Sequence, residues 1–97
     1  MGKGYWIATY RAVRDPAKMA EYVAAAGLAI TAGGGRFIVR QPPARTLEGA
    51  PDLRVVVVIF DSVAQAIATY ESAAYQAAKA QLGDTVDREV RIVEGAP

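Results

Sequence analysis

Apolar positions change their period several times along this chain, and each change marks an element. Tyr5 to Val13, YWIATYRAV, places aromatic and small apolar residues on both alternating faces, as a strand covered on two sides requires. Asp15 and Pro16 then offer an N-cap and a first helical residue. Met19, Tyr22, Val23, Ala26 and Ile30 recur at the three-or-four spacing of one buried helix face, with Lys18 and Glu21 outside it, and the helix is predicted to end near Thr31 or Ala32. Gly33 to Gly35 follow and lead into a strand, Arg36 to Gln41. A phosphate-cradling glycine loop follows a strand and opens a helix, whose free amides hold the anion. Here the order is reversed, so these glycines read as a left-handed helix stop and a tight turn.

Gln41 to Pro51 carries three prolines and Gly49, and it predicts an irregular return through Ala44 to Glu48 on a sheet edge. RVVVVIF, Arg54 to Phe60, is an unbroken apolar strand that needs cover on both faces and belongs at the sheet centre. Ser62 and Gln65 have capping-box spacing ahead of Val63, Ala66, Ile67 and Tyr70. Ser72 can cap a second short helix, or a continuation after a kink, through Tyr75, Ala78 and Leu82 to Gly83. Asp87 to Glu94 alternates charged residues with Val90 and Ile92, as a half-exposed edge strand does.

Strand, helix, strand, strand, helix, strand is the ferredoxin-like βαββαβ order, an α+β fold with a four-stranded antiparallel sheet and two helices on one face. Its central strands are the first and third, which are the two most apolar here. Helices shield only one face, yet Val55, Val57 and Ile59 point opposite to Val56, Val58 and Phe60. The second face calls for the same sheet of another subunit, so a homodimer packed sheet to sheet is expected.

Composition narrows the chemistry. The 97 residues suit a single domain spanning 1–97. There is no cysteine and no histidine, which removes disulfides, thiolates, the commonest metal ligand and the usual general base. Asp84, Asp87 and Glu89 follow no calcium-loop spacing, and no metal site is assigned. Eleven basic residues against ten acidic ones are spread along the chain, so neither nucleic acid nor membrane is expected as a partner. LRVVVVIF also lacks the aromatic ladder of an RNA-recognition sheet. Without a membrane-length apolar run or a signal-peptide pattern, a soluble, cytoplasmic protein is expected.

Gly34-Gly35-Arg36-Phe37, Leu47-Glu48-Gly49, Tyr70-Glu71-Ser72 with Tyr75-Gln76, and Ile92-Val93-Glu94-Gly95 occur in order over nearly the whole chain. In these motifs the sequence resembles the domain of unknown function 1330 family. That family is similar to the dimeric α+β barrel superfamily, which also includes antibiotic-biosynthesis monooxygenases and muconolactone isomerases. The resemblance implies a ferredoxin-like dimer and supplies no reaction. Ala73 and Ala74 stand where the family usually has proline and an acidic residue, Thr69 where an aromatic is common, and Gln41-Pro42-Pro43 replaces a glycine-rich turn.

Arg36, Glu48, Tyr70, Ser72 and Tyr75 match the family pattern and form the candidate ligand-binding set; no catalytic residue is assigned. Arg36 can hold a carboxylate or enolate through paired donors in the helix-sheet crevice, and a tyrosine hydroxyl can orient or protonate it. The competing reading pairs Arg36 with a carboxylate at a dimer rim and buries the tyrosine rings with their hydroxyls at the surface. Glu48 is either a base or a solvated loop carboxylate, and Ser62 and Ser72 serve better as helix caps than as nucleophiles. Two functions follow: a binder of a small acidic or phenolic molecule, with or without cofactor-independent catalysis, and a dimeric structural protein without chemistry. No cofactor is called for by either.

Overall fold

The computed structural model describes residues 2–50 and 53–97. Its elements run β1 (Gly4–Val13), α1 (Pro16–Ala32), β2 (Arg36–Gln41), β3 (Arg54–Phe60), α2 (Val63–Glu71), α3 (Ala73–Ala80) and β4 (Val86–Glu94). The four strands form one antiparallel sheet in the order β2-β3-β1-β4, the ferredoxin-like arrangement. The apolar strands β1 and β3 are central, where both faces need apolar side chains.

Local chemistry sets the boundaries. Asp15 caps α1, its Oδ1 accepting from the amides of Ala17 at 3.1 Å and Lys18 at 3.2 Å, with Pro16 directly inside. The helix stops at the glycines. Gly34 has φ +92°, a conformation costly for any side chain, while a Cβ on Gly33 would collide with the Thr69 side chain of α2. The Gly33 carbonyl accepts from Gln65 Nε2 at 2.9 Å and Thr69 Oγ1 at 3.3 Å, so the turn is tied to α2. The capping box at Ser62 is therefore only half formed: Ser62 Oγ accepts from the Gln65 amide at 3.1 Å, but the Gln65 side chain is spent on Gly33.

One expectation changes, and one pair of alternatives is resolved. The stretch 44–48 pairs with no strand, and β2 itself forms the sheet edge; Pro51, the end of the proline-rich segment, lies outside the described residues. The second helical unit is two helices broken at Ser72, whose ψ of 151° ends α2 and starts α3. Ser72 Oγ donates to the Thr69 carbonyl at 2.7 Å and accepts from the Tyr75 amide at 3.2 Å, satisfying both helix ends with one side chain. The break lets Tyr70 and Tyr75 both reach Trp6, at centroid distances of 5.6 Å and 4.8 Å; five residues apart on an unbroken helix they would diverge by about 140°.

All three helices cover the face carrying Trp6, Ala8, Tyr10, Val56, Val58 and Phe60, which are buried with Tyr22, Ala26, Ile30, Tyr75, Ala78 and Leu82. The opposite face presents Tyr5, Ile7, Val55, Val57 and Ile59 half-covered at its centre and Val39 and Val93 exposed toward its edges. On that face Glu89 accepts from Arg11 and Arg91, each at 3.3 Å. No helix among the described residues is long and apolar enough to cross a membrane.

Candidate functional site

Strand register assembles the site. On the helix-covered face Arg54, Tyr10 and Arg88 stand side by side on β3, β1 and β4. The next row holds Arg40, Val56, Ala8 and Val90, and beyond it lie Phe37, Val58, Trp6 and Ile92. Between these rows and α1 is a crevice with a free volume of about 40 Å³, roofed by Met19, Tyr22, Val23, Ala26, Gly27 and Ile30. By the measure in which one water needs roughly 10–15 Å³, it admits a few waters. Ala8 below and Ala26 with Gly27 above leave the gap, since none reaches across it.

Its polar end is a hydroxyl cluster gathered around one guanidinium. Arg88 Nη1 donates to the hydroxyls of Tyr10 and Tyr22, both at 2.9 Å, and Nη2 donates to Tyr75 at 3.1 Å. The Tyr22 and Tyr75 hydroxyls share a further bond of 2.7 Å. Arg88 also lies over the Tyr22 ring at 5.0 Å and the Tyr10 ring at 5.6 Å. Ser72 contributes indirectly, because its cap on the Tyr75 amide fixes the start of the helix that delivers Tyr75.

The charge balance is one-sided. Among the described residues no carboxylate pairs with Arg40, Arg54 or Arg88, and none lines the crevice. Arg40 lies over the Phe37 ring at 4.4 Å, and the buried Arg54 Nε has no hydrogen-bond partner among the described residues. Burial pushes the Tyr10 and Tyr22 hydroxyls above the ordinary tyrosine range, against the pull of the Arg88 charge, so both are neutral at physiological pH. Burial alone would lower the Arg88 value, but Tyr22 and Tyr10 outweigh it and the guanidinium stays charged. The crevice thus offers fixed positive charge and neutral hydroxyls, a set whose chemistry complements an anion and, among the described residues, includes no carboxylate base.

The residues put forward from sequence divide. Tyr75 enters the cluster with its hydroxyl buried, against the reading that sent it to the surface. Tyr70 packs against Trp6 and Tyr75, with Lys79 over its ring at 5.5 Å, and among the described residues its hydroxyl has no partner. Ser72 is a cap. Arg36 pairs in register with Ile59, so it stands exposed on the opposite sheet face and does not enter the crevice. Glu48 is exposed in the loop after β2.

Arg88, Arg40 and Arg54 were not singled out, and Tyr10 and Tyr22 were read only as sheet and helix-face packing. A signal for Arg88 was present: in Asp87 to Glu94 it shares the parity of Val90 and Ile92, so an arginine stands among apolar residues on the covered face.

A four-stranded antiparallel sheet in the order β2-β3-β1-β4 with its helices on one face defines the class of molecule, the α+β ferredoxin-like fold. The chain belongs to the family described as Domain of unknown function (DUF1330), whose family model matches residues 3–96. Three solved structures show how widely the fold is shared. A protein of unknown function from Rhodopseudomonas palustris superposes with a TM-score of 0.78 at 16% identity, over 99% of this chain and 84% of its own. SnoaB, a cofactor-independent oxygenase from Streptomyces nogalater, gives a TM-score of 0.70 at 9% identity, over 100% and 96%. A dimeric protein of unknown function and ferredoxin-like fold from Bacteroides fragilis gives 0.65 at 14% identity, over 98% of each chain. No curated protein matches.

Proposed function

We propose that this protein binds a small acidic or phenolic compound in the crevice beneath α1, as a homodimer closed sheet to sheet. The observation that carries the reading is the cluster at Arg88, a half-buried guanidinium with no carboxylate partner among the described residues, ringed by three tyrosine hydroxyls at the end of an apolar crevice. An unpaired charge is expensive to bury, and a ligand anion would complete it. Arg88 donates into the lone pairs of these hydroxyls; one of Tyr22 and Tyr75 donates to the other, and the Tyr10 hydroxyl, polarised by Arg88, keeps its proton for an incoming oxyanion. Any catalysis here would consist of stabilising negative charge on a bound enolate or phenolate through these donors, without a cofactor. Arg36 and Glu48 have no part in it.

The homodimer rests on the apolar face away from the helices and on the dimeric relative of the same fold. A second reading, a dimer without a ligand, is favoured by the small free volume of the crevice. Calorimetric titration with benzoate separates the two. Binding that weakens about tenfold or more in Arg88→Lys, which keeps the charge but loses the fork, and also weakens in Arg40→Ala supports the anion site. Undiminished binding in both variants, or none in the wild type together with no co-purifying acid in native mass spectrometry, refutes it.

A further inference from the structure

Arg88 has more donors than the tyrosines use. The hydroxyls of Tyr22 and Tyr75, 2.7 Å apart, accept one proton from each Nη, as the two oxygens of a carboxylate do at the end of a guanidinium. Tyr10 accepts the second Nη1 proton. Nε–H and the second proton of Nη2 remain, side by side along the other edge of the group, and among the described residues neither has a partner. Unlike the Nε of Arg54, that of Arg88 is reached by solvent. These two donors make a second fork of the kind that grips an oxyanion.

Arg88 also lines a second space, an open cleft of about 440 Å³ between α3 and β4, with Gln76, Lys79, Leu82 and Val86. Where the crevice under α1 holds only a few waters, this cleft falls within the roughly 300–1,000 Å³ of small-molecule sites. Its two cations have no acid opposite them. Lys79 Nζ lies over the Tyr70 ring at 5.5 Å and pairs with no carboxylate among the described residues. Asp84 and Asp87 follow in the chain but do not line the cleft, and Asp87 is held by Arg14 at 3.0 Å. The last carbonyls of α3 would oppose an anion, but those of Ala78 and Lys79 already accept from the Gln81 and Leu82 amides.

We propose that the cleft between α3 and β4 is an anion site of its own, taking a short dicarboxylate with one acid group on the free fork of Arg88 and the other on Lys79. Leu82 and Val86 offer apolar wall to the carbons between the two acids. The site does not require the crevice to be filled, because the two spaces share Arg88 through different edges of its guanidinium.

NMR spectra of the backbone amides and arginine Nε–H groups, titrated at constant ionic strength with succinate, acetate and chloride, test this. Succinate is expected to saturate, to move the amides of 76–88 and the Arg88 Nε–H signal, and to bind about threefold or more tighter than acetate. Lys79→Gln should weaken succinate roughly three- to fivefold, the effect of one solvent-exposed ion pair. Lys18→Gln removes the same charge from an exposed position of α1 that lines neither space, and it should stay within about twofold. Equal response to the three anions, succinate binding indifferent to Lys79→Gln, or an Arg88 Nε–H signal that does not move overturns the proposal. Succinate shifts confined to the amides around Met19, Val23 and Phe37 overturn the cleft and leave the crevice reading standing. No response to any of the anions overturns the cleft alone, since benzoate binding tests the crevice.

Discussion

Replacing Tyr75 by phenylalanine removes one oxygen from the centre of the molecule and leaves the shape intact. The ring keeps its edge contact with Trp6 at 4.8 Å and its neighbours Tyr22 and Tyr70 at 6.2 Å and 5.1 Å. What disappears is the acceptor for Arg88 Nη2 at 3.1 Å and the partner of the Tyr22 hydroxyl at 2.7 Å. Tyr75 is fully buried, so water does not replace the lost oxygen. A hydrogen bond to a charged group contributes about 1.5–3 kcal/mol, and the orphaned donor adds a desolvation cost that overlaps with it, so about 2 kcal/mol is expected in total. For a chain of this length that corresponds to a fall in melting temperature of roughly 8–16 °C. Urea unfolding followed by the fluorescence of Trp6, the one tryptophan, measures it directly. Protein concentration must be held fixed, because the proposed pairing of subunits would make stability depend on it. Tyr70→Phe is the matched control, since among the described residues that hydroxyl has no partner, and it should lie within about 0.5 kcal/mol of wild type. A Tyr75→Phe variant as stable as Tyr70→Phe would show that the cluster contributes nothing to the fold, and the reasoning from it would fail.

Two other expectations follow from the two faces of the sheet. Burial raises the Tyr10 and Tyr22 hydroxyls in the folded state, so their contribution to stability is fully present below the unfolded tyrosine value near pH 10 and is lost as pH climbs through the raised values. Tyrosinate absorbance should show at least two of the five tyrosines resisting ionisation until the fold opens, and Tyr22→Phe should flatten the alkaline loss; five tyrosines titrating together near pH 10 in a folded protein would contradict this. Val57→Lys, at the centre of the face away from the helices, should give a folded monomer by sedimentation at micromolar concentration, where the proposed pairing predicts a dimer for wild type. A wild-type monomer at that concentration would remove the sheet-to-sheet pairing.

The architecture was legible because its cues are local. The N-cap at Asp15, the unbroken valines of β3 and the order of elements each act over a few residues, and they agree with one another. The site was less legible because it is made by register. Arg54, Tyr10 and Arg88 are distant in the chain and become neighbours only once β3, β1 and β4 align. Arg36 misled for the same reason: its place after a glycine turn suggested reach into the crevice, but its pairing with Ile59 turns it to the other side. Ser72 was recognised as a cap, and what local reasoning could not supply was that the helix it begins carries Tyr75 into contact with a residue of α1.

The alternation of β4 makes the electrostatic character of the crevice depend on counting. Arg88 faces inward between Asp87 and Glu89, which face outward. Loss or gain of one residue in the short connection from α3, where it slipped β4 by one place against β1, would rotate an acid into the place of the guanidinium. The crevice proposed here to take anions would then carry negative charge and suit amines, so a change of ligand charge lies a single codon's insertion or deletion away.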